Sequence, residues 1–180
     1  AKIGVIAPLT GDLAALGLGI KNGVGLALKQ ANESKAIPGW TLELAANDDA
    51  AVPDTGKNAA TKLAADDEVV AVVGTLNSNV SQSVQPVLAA ANILQVSPAN
   101  TNDTLSKGAN FKDSPQRAFK NYFRVCTVDS VQGPFAARYV FNELGIKEVA
   151  TVHDKKTYGQ RLVAAFTEEY TKLGGESDVA

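Results

Sequence analysis

The chain has 180 residues, of which 45% are hydrophobic and 20% charged, a composition that is typical of a globular domain and excludes a disordered chain. Seventeen basic residues against nineteen acidic ones give a net charge of −2, so the basic excess that a nucleic-acid partner requires is lacking. No apolar run reaches the ~18–20 residues of a membrane-spanning helix, and one Cys with one His cannot alone form a zinc site.

Short apolar runs and longer stretches with helical spacing alternate along the chain. The apolar runs, rich in Ile and Val, predict strands at residues 2–8, 40–46, 69–73, 93–96, 122–125 and 147–153. Apolar residues at helical spacing predict helices at residues 17–33, 53–66, 79–91, 129–144 and 157–173. Residues 100–119 are polar and without a period, which predicts a long connection, and a further strand is expected to begin at the end of the sequence.

The repeated order of strand and helix predicts an α/β fold with mostly parallel strands and flanking helices. In such sheets, ligands bind beyond the carboxyl ends of the strands. The segments expected to carry function are therefore residues 9–17, 47–53, 74–79, 97–104 and 153–158.

The strand ends lack the common cofactor and catalytic motifs. The first strand stops at Pro8 and leads into Leu9 and Thr10, where a dinucleotide-binding fold needs Gly-x-Gly-x-x-Gly. The sequence contains neither a Gly-x-x-x-x-Gly-Lys-[Ser/Thr] phosphate loop nor a Gly-x-Ser-x-Gly nucleophile elbow. We therefore expect no enzymatic activity and no cofactor. A Rossmann-type enzyme stays open as an alternative that tight nucleotide binding would support.

Three further sets of residues have both a possible chemical role and a possible structural role. Asp48 and Asp49 could offer carboxylate oxygens to Mg²⁺, but capping of turns at a strand end explains them better. His153 and Asp154 could form an acid–base pair, but adjacent residues of an extended chain point to opposite faces, which favours structural roles. Cys126 could be a nucleophile, but no His lies near it in sequence, which favours a buried apolar role.

Two loops suit a ligand that carries both a carboxylate and an ammonium group. Residues 74–78 join the third strand to its helix, and a helix start offers backbone N–H groups and a positive dipole end to an anion. Ser78 adds a hydroxyl donor, although it could equally be an N-cap. Residues 97–101 follow the next strand and offer a backbone carbonyl and a hydroxyl to the same crevice. Together the loops predict a zwitterion site that requires no catalytic group.

Six stretches carry a resemblance that covers nearly the whole chain: IGVIAPLTGDLAALG, NDDAAVP, VVGTLNSNVSQSVQPVL, VSPANTNDTL, TVDSVQGPFAARYV and VHDKKTYGQRL. In this order they resemble the periplasmic branched-chain amino-acid (Leu/Ile/Val) binding proteins, the solute receptors of ABC importers. The resemblance implies a two-lobed type I periplasmic-binding fold with the ligand between the lobes. It assigns residues 1–120 to most of lobe one and residues 121–180 to the start of lobe two. Because family members are longer, we expect a truncated, N-terminal portion that lacks the rest of both lobes.

The resemblance implies roles for five positions. Ser78 falls at the family's carboxylate-binding Ser. Ala99 and Thr101 fall in the loop that contacts the ligand's ammonium and carboxylate through a backbone carbonyl and a hydroxyl. Tyr158 falls at a lobe-two aromatic residue that faces the ligand. Leu16 stands where well-studied members have Tyr, which alters the pocket wall and with it the side-chain preference.

These matches imply an extracytoplasmic solute-binding protein, periplasmic or lipid-anchored, that captures a branched-chain or other aliphatic amino acid. The expected partner is an ABC permease in the membrane, with no nucleic acid and no metal involved. The full-length protein is expected to be a monomer, whereas a fragment with an exposed core could associate aberrantly. An alternative keeps the fold but makes the protein a sensor or receptor for amides, urea or aromatic acids that acts through a regulator.

Overall fold

The computed structural model describes residues 1–179 and divides them into two compact units. Unit 1 comprises Ala1–Asn100 and Leu105–Cys126, whereas unit 2 comprises Thr101–Thr104 and the chain from Thr127 onward. Within the described residues, the chain passes from one unit to the other after Asn100, after Thr104 and after Cys126.

Strands and helices alternate as the sequence predicts. The strands are β1 (Lys2–Ala7), β2 (Glu43–Asp48), β3 (Val69–Gly74), β4 (Leu94–Ser97), β5 (Tyr122–Arg124), β6 (Glu148–Thr151) and β7 (Glu176–Val179). The helices are α1 (Ala14–Glu33), α2 (Pro53–Ala64), α3 (Ser78–Ala90), α4 (Thr104–Lys107), α5 (Asp129–Arg138), which continues as a π-helical turn (Tyr139–Glu143), and α6 (Thr157–Lys172). α4 lies within the segment that the sequence predicts as a connection, so that prediction is wrong for one short turn of helix.

Two boundaries differ from the prediction for reasons visible in the hydrogen bonds. α1 begins three residues earlier than predicted, since the N–H of Gly17 already donates to the carbonyl oxygen of Leu13, at 3.1 Å. β2 begins at Glu43 rather than residue 40, because the N–H of Leu42 donates to Asn32 Oδ1, at 2.9 Å. That bond ties the segment before β2 to the end of α1 instead of to a neighbouring strand.

Unit 1 is built on a five-stranded sheet in the order β2-β1-β3-β4-β5. All four neighbouring pairs are parallel, which confirms the predicted α/β class with a parallel sheet flanked by helices. Because the strands are parallel, their carboxyl ends meet at one edge of the sheet, and the loops that lead into α1, α2 and α3 start there.

Unit 2 holds the parallel pair β6–β7, joined by α6, with α5 packed against α6. The two helices approach closely at Gly133, where an added Cβ would lie 2.7 Å from the Cβ of Ala165. Tyr170 is fully buried, stacks on Phe166 with ring centroids 5.2 Å apart and donates its hydroxyl to the carbonyl of Ile146, at 2.7 Å.

The core of unit 1 lies between the sheet and the helices α2 and α3. Its members are apolar residues of β1, β3, α2 and α3, together with one residue before β4: Ile6, Ala59, Ala60, Leu63, Val69, Val72, Val80, Val84, Leu88 and Ile93. Their burial provides the main favourable free energy of folding for this unit.

We predict that Leu88→Ala lowers the free energy of unfolding by ~2–5 kcal/mol, because Leu88 is fully buried and its truncation leaves a cavity. The matched control is Leu26→Ala on α1, where the side chain is 58% exposed and the expected change is within about 0.5 kcal/mol. Urea denaturation of both variants measures the difference. Equal midpoints for the two variants would contradict the position assigned to the core.

Candidate ligand-binding site

The start of α3 lies at the carboxyl end of β3. Gly74 ends that strand with φ of +143°, and an added Cβ would collide with the carbonyl oxygen of Ile6, so only Gly fits this bend. Asn77 is the N-cap, with an extended backbone at φ −86° and ψ 133°, and Ser78 is the first helical residue. The alternative that Ser78 is the N-cap is therefore wrong.

The first turn of α3 has the properties of an anion site. Ser78 is only 2% exposed, so its hydroxyl lies in the protein rather than in bulk water. Among the described residues, the side chain of the N-cap residue Asn77 makes no capping hydrogen bond to this turn. The first N–H groups of a helix have no partner inside the helix, and the positive dipole end favours negative charge.

The second loop folds back over the end of β4. Ser97 Oγ accepts hydrogen bonds from the backbone N–H groups of Ala99, at 3.2 Å, and Asn100, at 2.9 Å. The same hydroxyl donates to the carbonyl oxygen of Thr75, at 2.9 Å. Ser97 therefore shapes its own loop and ties it to the loop that leads into α3.

Buried polar side chains beneath these loops are the feature that sequence analysis missed. Gln95 is fully buried in β4, and its Nε2 donates to the carbonyl oxygen of Gly74, at 3.0 Å, and to Ser81 Oγ, at 3.2 Å. Asn100 and Tyr122 are buried as well. A polar Gln inside the apolar run of β4 was the available signal, because a buried amide in a strand needs partners from neighbouring segments.

The five site residues predicted from the family resemblance fall in both units. Ser78, Ala99 and Leu16 belong to unit 1, where each follows the carboxyl end of β3, β4 or β1. Leu16 lies in the first turn of α1 and is 58% exposed. Thr101 and Tyr158 belong to unit 2. The hydrogen bonds of Ser97 bring the loops of Ser78 and Ala99 together within unit 1.

The two unit 2 residues have different surroundings. The carbonyl oxygen of Thr101 accepts the N–H of Asp129, at 2.9 Å. The hydroxyl of Thr101 is buried, and among residues 1–179 it has no hydrogen-bond partner, so a ligand group could satisfy it. Tyr158 lies in the first turn of α6, is 42% exposed, and accepts a hydrogen bond from Gln132 Nε2, at 3.4 Å.

Comparison with known proteins shows the family. A family model described as "Periplasmic binding protein" matches the chain over residues 1–180. The chain belongs to this family. The Leu/Ile/Val-binding protein BraC3 of Rhizobium johnstonii is 39% identical over 164 residues, which cover 91% of this chain and 42% of that protein. The family predicted from the sequence is thereby confirmed.

Two solved structures resemble this periplasmic binding protein in fold. The leucine binding protein LivK of Thermotoga maritima superposes with a TM-score of 0.88 at 27% identity, covering all of this chain and 48% of that one. A solute binding protein of an ABC transporter from Rhodopseudomonas palustris BisB5, in complex with 3,4-dihydroxybenzoic acid, superposes with a TM-score of 0.83 at 25% identity. The superposition covers 99% of this chain and 46% of that one. The chain spans less than half the length of each of these relatives.

The carboxylates at the end of β2 act as turn caps, as the structural interpretation predicts. Asp48 Oδ1 accepts the N–H of Leu9, at 2.7 Å, and that of Ala50, at 2.8 Å, while Oδ2 accepts the hydroxyl of Thr10. Burial acts to raise the pKa of Asp48, but these hydrogen bonds outweigh it and hold the pKa below its usual value. Among the described residues, no group of three or more His, Cys, Asp or Glu side chains is arranged to hold a metal ion.

The other chemical candidates have structural contacts. His153 Nδ1 and Asp154 Oδ1 each accept the backbone N–H two residues further along, both at 3.0 Å, which confirms their structural roles. Cys126 is half-buried, and its thiol donates to the carbonyl oxygen of Asn100, at 3.3 Å, so the expected role as a buried apolar residue is wrong. No helix within residues 1–179 is long and apolar enough to span a membrane.

Asp49 is a buried carboxyl with a shifted pKa. The side chain is fully buried, its Oδ1 accepts the N–H of Ala51, at 2.8 Å, and its Oδ2 has no partner among the described residues. Burial raises the pKa of Asp49 to about 6, with a smaller contribution from the neighbouring charge of Asp48. The neutral acid therefore suits the folded state better than the carboxylate does.

We predict that wild type loses ~1–3 kcal/mol of unfolding free energy relative to Asp49→Asn as the pH rises from 4 to 7. Because the pKa of Asp49 is raised in the folded state, the protonated side chain contributes its full stabilisation below the unfolded-state pKa of about 4. This contribution is lost as the pH rises through the folded-state pKa of about 6. Urea denaturation of both proteins at several pH values measures the difference. Parallel pH profiles for wild type and variant would show that Asp49 does not titrate in this range.

Proposed function

We propose that the whole protein is an extracytoplasmic solute-binding protein that captures a branched-chain or other aliphatic amino acid and delivers it to an ABC importer. The observation that carries the proposal is the pair of hydrogen bonds that tie the loop after β4 to the loop before α3 at the carboxyl edge of the unit 1 sheet. The family and the names of the relatives support the ligand class. The proposed role is binding without chemical conversion.

The α-carboxylate is proposed to bind at the start of α3. The N–H groups of the first turn and the hydroxyl of Ser78 are donors, and the dipole of a 13-residue helix adds to their attraction. Ser78 is held in a low-dielectric setting because it is almost completely buried, which strengthens its hydrogen bond to an anion. The Thr101 hydroxyl, which belongs to unit 2, stays a prediction from the family resemblance.

The α-ammonium is proposed to bind the backbone carbonyl of Ala99. That residue lies in a loop whose shape is fixed by Ser97 Oγ, which accepts the Ala99 N–H, at 3.2 Å. A carbonyl oxygen beside a carboxylate site separates a zwitterion from a simple carboxylic acid, since only the zwitterion brings a donor to it. Site groups left unpaired by the wrong ligand are the stronger source of discrimination.

The ligand's side chain is proposed to face the first turn of α1, where Leu16 is 58% exposed. Leu16 gives this wall an aliphatic surface in place of the Tyr of well-studied family members. An aliphatic wall suits Leu, Ile or Val through burial of apolar area. Tyr158, in the first turn of α6, stays a prediction from the family resemblance.

One observation favours a second candidate, a receptor for aromatic acids. The similar Rhodopseudomonas palustris protein was solved with 3,4-dihydroxybenzoic acid. Such an acid would use the same helix start for its carboxylate but would leave the Ala99 carbonyl without a donor. The two candidates therefore differ in whether the ligand needs an ammonium group.

A thermal-shift screen of the whole protein against the L-amino acids tests the proposal. D-Leucine, urea, acetamide, 3,4-dihydroxybenzoate and NAD⁺ serve as controls. The expected result is a stereospecific rise in unfolding temperature with L-Leu, L-Ile or L-Val, because a ligand that binds only the folded state stabilises it. Silence from every amino acid, together with a response to the aromatic acid, would overturn the proposed ligand class and support the second candidate.

We predict that Ser78→Ala weakens amino-acid binding by ~1–3 kcal/mol, the usual loss for one charge-assisted hydrogen bond. The matched control is Ser83→Ala, which makes the same change later in α3 and should leave the affinity unchanged. Isothermal titration calorimetry with the amino acid found in the screen measures both variants. Equal affinities for the two variants would remove Ser78 from the site.

A further inference from the structure

Asn100 lies where the chain first leaves unit 1, and it is fully buried. It stands between the two residues assigned to ligand contact in its loop, Ala99 and Thr101, but its own side chain points into the protein rather than to solvent. A buried amide needs hydrogen-bond partners, and the partners of Asn100 come from three separate segments of unit 1.

The side-chain amide of Asn100 reaches into the other loop of the site. Its Nδ2 donates to the carbonyl oxygen of Leu76, at 3.0 Å, and to Thr75 Oγ1, at 3.3 Å. Thr75 Oγ1 in turn donates to the carbonyl oxygen of Asn77, at 2.8 Å. The amide is therefore linked through one hydroxyl to the N-cap of α3, the helix whose first turn is proposed to bind the carboxylate.

The opposite side of the amide is fixed by β5. Asn100 Oδ1 accepts the hydroxyl of Tyr122, at 3.3 Å. Burial raises the pKa of Tyr122 to about 12, so the hydroxyl keeps its proton and stays a donor at neutral pH. The carbonyl oxygen of Leu76 also fixes which end of the Asn100 amide is the nitrogen, because a carbonyl oxygen can only accept a hydrogen bond.

The backbone of Asn100 is held as firmly as its side chain. Its N–H donates to Ser97 Oγ, at 2.9 Å. Its carbonyl oxygen accepts Arg124 Nη1, at 2.6 Å, and the thiol of Cys126, at 3.3 Å. The chain leaves unit 1 after Asn100 and again after Cys126. The carbonyl of Asn100 therefore links the two segments of unit 1 from which the chain passes into unit 2.

We infer that Asn100 is a positioning residue for ligand binding: its buried amide sets the Ala99 carbonyl and the start of α3 in mutual register. This inference rests on the proposed function for its affinity readout. A binding constellation must be held within about 0.5 Å of its productive geometry by a supporting shell. Asn100 joins both halves of the site through one side chain, which a residue that only fills space could not do.

The test compares Asn100→Ala with a matched control, Gln85→Ala, in the whole protein. Gln85, in α3, is a buried amide like Asn100, and its Nε2 donates to the backbone carbonyl of Leu105, at 3.0 Å. Among the described residues, it makes no hydrogen bond to either site loop. Both variants should lower the unfolding temperature, since each removes a buried amide and leaves a backbone carbonyl without its donor. Only Asn100→Ala should weaken amino-acid binding, by at least tenfold, while Gln85→Ala stays within twofold of wild type.

Amide hydrogen exchange gives a readout that does not need a ligand. In Asn100→Ala, exchange of the backbone amides at 75–80 and 97–101 should accelerate at least tenfold, while that of the middle of α1 stays as in wild type. If the wild type binds no amino acid, the proposed function fails, and the exchange rates alone then decide the positioning role. Unchanged exchange in both loops would overturn the inference, as would wild-type affinity in Asn100→Ala.

Tyr122→Phe keeps the test decisive if Asn100→Ala does not fold. This change removes only the hydroxyl that donates to Asn100 Oδ1 and keeps the buried ring. The expected effect has the same direction and is smaller, about threefold in affinity with faster exchange in the same loops. An affinity and an exchange pattern equal to those of wild type would overturn the inference.

Discussion

Parallel strands place every strand's carboxyl end at the same edge of the unit 1 sheet, and at that edge backbone groups run out of sheet partners. The helix start after β3 gathers N–H groups there, and a carbonyl of the loop after β4 is proposed as the acceptor beside them. A ligand with one negative and one positive group can satisfy both at once. The proposed site therefore depends first on strand direction and only then on particular side chains.

The side chains refine that arrangement from beneath. Gln95, Ser97 and Asn100 are fully buried, and each donates to a group in the loop before α3. Buried polar groups are costly unless they are paired, so such a network has one favourable geometry and resists rearrangement. The loops of a binding protein are usually its mobile parts, and here these side chains oppose that tendency in unit 1.

The strands, helices and two site loops could be predicted because apolar runs and helical spacing depend on near neighbours in sequence. The network could not, because Gln95 bonds Gly74 across 21 residues and Asn100 bonds Thr75 across 25. The sequence does not predict α4, because a helix of four residues is too short to show a helical period of apolar residues. Its Leu105 carbonyl instead accepts a hydrogen bond from Gln85, 20 residues away in sequence. The sequence predicts Ser78 as a hydrogen-bond donor but does not say whether it is the N-cap or a helical residue. The extended backbone angles of Asn77 show that Asn77 is the N-cap and that Ser78 lies in the first turn of α3.

The proposed function depends on the binding of an amino-acid zwitterion by the two loops at the carboxyl edge of the unit 1 sheet. Its most direct test is a titration of the ¹⁵N-labelled whole protein with L-leucine, followed through the backbone amide resonances. The largest shifts are expected at residues 75–80 and 97–101, and D-leucine should leave these resonances unchanged. Saturable shifts confined to other parts of the protein would contradict it, since the ligand would then bind elsewhere.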